Sequence, residues 1–113
     1  MIDGHTISER TNLLAHRRIA LMVDQAPEIL EKAISRVDET VATTGGTTGE
    51  QLWQLVLRRP WAQVRERMLN DGHEGRLLRS NTPFAFVIPP IEIDERRRLW
   101  RQAKQELLAE RTS

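Results

Sequence analysis

Cysteine and tyrosine are absent from this 113-residue sequence, and phenylalanine occurs only twice. Without cysteine there is no disulfide scaffold, no thiolate nucleophile and no thiolate metal site. That absence fits a reducing compartment, so cytoplasm is the expected location. The shortage of aromatics leaves few platforms for stacked bases, which counts against single-stranded nucleic acid as a ligand. No apolar run approaches the ~20 residues that cross a bilayer. Residues 1–10 lack the basic start and apolar block of a secretory signal, so neither export nor a membrane partner is expected.

A net charge of +1 gives no bulk reason to bind nucleic acid, but the two parts of the chain differ. Residues 1–50 carry five Lys and Arg against eight Asp and Glu, a balance of −3, whereas residues 51–113 carry twelve against eight, a balance of +4. A basic C-terminal part suits an acidic protein surface or a phosphate backbone; arginine serving only as a solvated helix former is the plainer account. At this length, with 39% hydrophobic residues, the chain holds one domain with one modest core.

Apolar spacing of three and four residues predicts an all-α fold of five or six helices. Ser8 reads as an N-cap, and Leu13, Ile19, Ala20 and Val23 form the stripe of a first helix. Pro27 suits the start of a second, with the stripe Leu30, Ala33, Ile34, Val37 and Val41. Together they predict a helical hairpin over residues 8–41. Threonines and glycines then give neither helix propensity nor a face to bury, so residues 42–49 are expected to be a flexible connector. Trp53 and Trp61 fall in the stripes of a helical cluster over residues 50–79, interrupted at Pro60 and at Asp71-Gly72. Residues 80–93 form an extended linker in which Phe84, Phe86, Val87 and Ile88 lie between prolines. A final helix over residues 94–111 carries Leu99, Trp100, Ala103, Leu107 and Leu108 as its apolar positions. All three tryptophans are expected in the core.

Chemistry-bearing groups are few. His16 falls on the apolar side of the first helix and is expected to be a hydrogen-bonded core residue. Helical HEPN-type ribonucleases use an Arg and a His a few residues apart, a spacing met by Arg67 with His73 and by Arg10 with His16. A helix break at Asp71-Gly72 separates the first pair, and the second His points inward, so enzymatic action ranks third among the readings. No catalytic residue, metal-ligand set or cofactor is assigned. A helix-turn-helix could be built from residues 50–70, with Arg65 and Arg67 on its second helix, but the join at Arg59-Pro60 has no glycine and Glu66 interrupts the basic face.

The densest basic cluster is Arg96, Arg97, Arg98, Arg101 and Lys104, directly after the apolar linker. An apolar segment that cannot be helical either plugs its own core or docks on another molecule. Phe84, Phe86, Val87 and Ile88 are therefore expected to bind a protein partner, with Arg96, Arg97, Arg98 and Arg101 as the charged rim. DNA is the alternative partner, through arginines of the C-terminal half, and self-association is a further option.

The stretches LLAHRRIALMVDQAPEILEKA, RLLRSNTPFAFVIPP and DERRRLW together resemble a group of small, all-helical bacterial proteins that act as the antitoxin or accessory partner in two-gene toxin–antitoxin-like modules. The likeness spans most of the chain apart from the threonine-glycine loop, and the chain also departs at Ile91-Glu92-Ile93. It implies a neutralising binder of a cognate toxin-like enzyme, with the linker filling a groove on the toxin and the arginines meeting its acidic groups or entering its phosphate site.

Overall fold

The computed structural model describes residues 2–112, and among them all regular structure is helical. Six α-helices follow one another: α1 Gly4–Gln25, α2 Glu28–Thr44, α3 Thr48–Val56, α4 Trp61–Met68, α5 His73–Ser80 and α6 Ile93–Thr112. A single 3₁₀ turn, Phe84–Phe86, stands between the last two. No helix among the described residues is long and apolar enough to cross a membrane.

The first helix begins earlier than expected because Asp3, not Ser8, caps it. The Asp3 carboxylate accepts the Thr6 N–H at 2.7 Å, which satisfies an otherwise orphaned donor. Ser8 is left as an exposed residue inside the helix.

The connector at residues 42–49 also differs from expectation, being neither long nor loose. The hydroxyls of Thr40 and Thr44 bond back to the carbonyls of Arg36 and Thr40, both at 2.9 Å, which lets α2 continue to Thr44. Gly45, at φ +81°, then ends it with a left-handed cap, a conformation that favours glycine. Thr47 and Glu50 close a reciprocal capping box on α3: Thr47 Oγ1 accepts the Glu50 N–H at 3.1 Å, and Glu50 accepts the Thr47 N–H at 2.8 Å. What remains between the helices is a three-residue turn.

Two clusters of buried side chains hold the molecule. The larger gathers Ile19, Ala20 and Val23 of α1, Ala33 and Val37 of α2, Trp53, Val56 and Leu57 around α3, Val64 and Met68 of α4, Leu78 of α5, and Phe84. The smaller consists of Ile7, Leu14 and Ala103, with Ile2, Leu99 and Leu107 around them, and joins the first half of α1 to α6. α6 makes its main contacts along α1. The molecule is consequently drawn out to 45 × 26 × 24 Å, with a radius of gyration of 14.7 Å against about 13 Å for a compact chain of this size.

Arg79 fastens the α4–α5 corner. Its buried guanidinium donates to the carbonyls of Met68 at 2.9 Å and Asn70 at 2.7 Å, both at the end of α4. Carbonyls at a helix C-terminus have no partner within the helix, so an internal cation takes the place of water there. Gly75 passes so close to the Asn70 carbonyl that a Cβ would collide with it.

Candidate protein-interaction surface

Phe84 does not reach a partner, contrary to the sequence-based expectation. It is fully buried and meets the Trp53 ring edge-on, with centroids 5.7 Å apart and planes at 79°. The Trp53 indole N–H donates to the Leu78 carbonyl at 2.7 Å, so this aromatic pair enters the core with its polar atom satisfied. Val87 and Ile88 are half-buried and pack against the same core. Of the four linker residues only Phe86 stands open, 67% exposed, with the Arg36 guanidinium 4.2 Å above its ring. The segment expected to be extended is therefore a 3₁₀ turn that plugs its own protein. Being bracketed by prolines excludes an α-helix but does not reveal which side chains turn inward.

The arginines stand elsewhere. Phe86 lies on α2, whereas Arg96, Arg97, Arg98 and Arg101 lie on α6, a helix whose main contacts are with α1. The expected single patch thus separates into two.

The α6 surface is built by how that helix meets α1. Ala103, completely buried, lets the antiparallel helices approach closely, with Leu99 and Leu107 on either side. Ion pairs pin both ends: Arg10 reaches Glu106 at 3.0 Å and Glu110 at 2.7 Å, and Arg18 reaches Glu95 at 3.5 Å. The apolar residues of α6 form a band wider than α1 covers. Ile93, 68% exposed, and Trp100, 39% exposed, remain on the open flank. With Arg96, Arg97 and Arg101 they line a shallow concavity of about 480 Å³. On its other side Trp100 borders a second groove of about 410 Å³ between α6 and α1, which reaches Ile91 and Ala15. Trp100 was expected in the core; it is instead a ridge between two hollows.

Within this group the arginines are not equivalent. Arg98 turns to Glu95 at 3.0 Å, and Arg97 lies 4.0 Å from Asp94 with both side chains largely in solvent. Arg96 and Arg101 have no carboxylate partner within ion-pair distance among the described residues.

The other candidate constellations are occupied by internal contacts. Arg67 grips Glu74 at 2.7 and 3.3 Å, while His73 is exposed at the start of α5, across the break at Asp71-Gly72. Arg10 is committed to α6, and His16 is buried as expected. His16 Nδ1 lies 2.8 Å from the Asn12 carbonyl and must donate to it, which leaves Nε2 as a buried lone pair with no hydrogen-bond partner. Burial, with a smaller contribution from Arg79, pushes this imidazole down to about 4, so it is neutral at pH 7. For a helix-turn-helix reading, Arg65 faces Asp24 at 3.6 Å and Arg67 faces Glu74, which takes both arginines of α4 away from a phosphate backbone. Among the described residues no three His, Asp or Glu side chains are grouped to hold a metal ion.

The fold is thus a small all-α bundle of six helices carrying a cationic, partly apolar surface on its last helix. Compared with family models, with curated proteins and with solved structures, the chain matches none of them.

Proposed function

We propose that this chain is a non-enzymatic protein-binding module, and that its partner is a toxin-like enzyme neutralised by direct contact. The observation that carries the binding role is the flank of α6, where Ile93 and Trp100 lie uncovered among Arg96, Arg97 and Arg101. Apolar centres ringed by charge are how specific protein interfaces are composed, and Trp and Arg are the residues most often dominant in them. DNA affinity would come mainly from the cations themselves, and the apolar centre would add little to it. The antitoxin assignment rests on the sequence resemblance.

The test is to co-express the chain with the product of the neighbouring gene and measure their affinity. Trp100→Ala is expected to weaken the complex about thirtyfold or more, and replacing any single arginine of α6 to weaken it less. Arginine variants that dominate, with a steep loss of affinity as salt rises, would instead indicate a phosphate ligand. Failure of the two products to associate would remove the antitoxin assignment.

A further inference from the structure

α6 carries two interleaved rows with a repeat of seven. Ile93, Trp100 and Leu107 form an apolar row; Arg97, Lys104 and Arg111, each four residues further on, form a cationic row beside it. Seven residues are almost two turns of helix, so each row stays on one side of α6 for its whole length. α1 occupies the neighbouring side, through Leu99, Ala103, Glu106 and Glu110. Along most of its length the flank with the two rows is open: Ile93, Arg97, Trp100 and Lys104 are exposed, as is Leu108 beside them; at its C-terminal end Leu107 is half-buried in the α1 seam and, with the exposed Arg111, borders a hollow beside Ile2, Asp3 and Thr6.

We propose that this flank is the seat for one α-helix of the partner, which lies along α6 as a third helix beside α1 and presents its own apolar heptad row bordered by Asp and Glu. This deepens the protein-binding reading and rests on it. Apolar residues every seven positions with charges along their border are the pattern by which two helices choose each other, the apolar row giving affinity and the charges giving partner and orientation. Three cations out of three in the bordering row select an acidic helix. Among the described residues the one carboxylate within ion-pair distance of the row is Asp94, 4.0 Å from Arg97, with its side chain 89% exposed. A second copy of this chain is a poor occupant. With α1 on the neighbouring side, two copies of α6 packed antiparallel by this flank would set cationic row against cationic row.

The probes are two synthetic heptad peptides with leucine at the core positions, one with glutamate and one with lysine at every flanking position. Like charges keep each peptide from pairing with itself at neutral pH. Binding to the full chain is read by fluorescence anisotropy of labelled peptide. The glutamate peptide is expected to bind at least about tenfold more tightly than the lysine peptide. The triple variant Arg97→Glu, Lys104→Glu, Arg111→Glu, at exposed positions, is expected to reverse that preference, and Trp100→Ala to weaken both. Equal binding of the two peptides, no binding of the glutamate peptide, or an unchanged preference in the triple variant would overturn the proposal. So would a concentration-dependent dimer in sedimentation that Trp100→Ala dissolves, or capture by phosphatidylserine vesicles in place of the peptide. If the neighbouring gene product binds the triple variant as it binds the parent chain, this seat is wrong while the protein-binding reading stands. If only the glutamate peptide binds, the seat is right and the antitoxin assignment is wrong.

Discussion

The two buried clusters of this molecule are held by different means. Around Trp53 and Phe84, five helices converge, the largest side chains are fully enclosed, and the indole N–H finds a carbonyl. Along the α1–α6 seam three residues are buried, and ion pairs at the two ends fix the alignment. Enclosed aromatics are worth several kcal/mol each, while exposed ion pairs are worth about 1 kcal/mol or less and fade with salt. The main bundle is therefore complete without a partner. α6 is held over fewer fully buried side chains and leaves apolar surface exposed.

The sharpest contrast lies between the two phenylalanines, two positions apart. Phe84→Ala empties a site against Trp53 and is expected to cost about 3–5 kcal/mol, a large share of the roughly 5–15 kcal/mol that holds a domain together. Phe86→Ala loses the contact with Arg36 and is expected to cost about 1 kcal/mol or less. Chemical denaturation of both variants checks the difference. Similar losses would mean that the aromatic core is not the centre of stability.

Acid should act next most strongly, and on the main bundle. His16 has its folded value lowered to about 4, below the ordinary value of 6.5. Between those limits the unfolded chain binds the proton more readily, so the contribution of neutral His16 is complete above about pH 6.5 and is lost as pH falls toward 4. The loss is on the order of 3 kcal/mol. Melting curves across that range should show the decline in the parent chain and a much flatter response in His16→Gln. A parent chain equally stable at pH 7 and pH 4.5 would contradict the burial of a neutral imidazole.

A further variant separates the seam from the bundle. Ala103→Leu forces bulk into the α1–α6 crossing and is expected to cost about 1–3 kcal/mol, concentrated on α6. Hydrogen exchange should then show α6 amides opening early while α2 to α5 remain protected. Uniform loss of protection would make the two regions one cooperative unit.

Much of the bundle was legible in the sequence, because periodic apolar residues dictate which face of a helix is covered. The stripe of α2, the break at Asp71-Gly72 and the inward direction of His16 all follow from spacing. Caps were partly legible: Thr47 and Glu50 spell a capping box, but a setting rich in threonine and glycine reads as loose chain unless that pairing is noticed. Burial of Phe84 was not legible, since it depends on Trp53 being opposite, a long-range fact. Trp100 misled for the same reason: a stripe shows which residues share a side of a helix, not whether anything lies against that side. The stretch RLLRSNTPF, which bears part of the family resemblance, contains Leu78, Arg79, Pro83 and Phe84, all buried. That motif describes how this chain folds, and the residues that would choose a partner lie outside it.

The clasp at Arg79 has a bearing on how this sequence can drift. Because the guanidinium is received by main-chain oxygens, no compensating side chain exists that could change along with it; both bonds come from Nη1, whose two hydrogens are fixed in the guanidinium plane, whereas the ammonium of lysine rotates freely on a flexible stem. Gly75, one turn earlier on the same helix, is constrained by the very carbonyl that Arg79 holds. A glycine followed four positions later by arginine is thus a spelling that descendants of this chain should retain together, even where the surface of α6 has been rewritten to suit another companion.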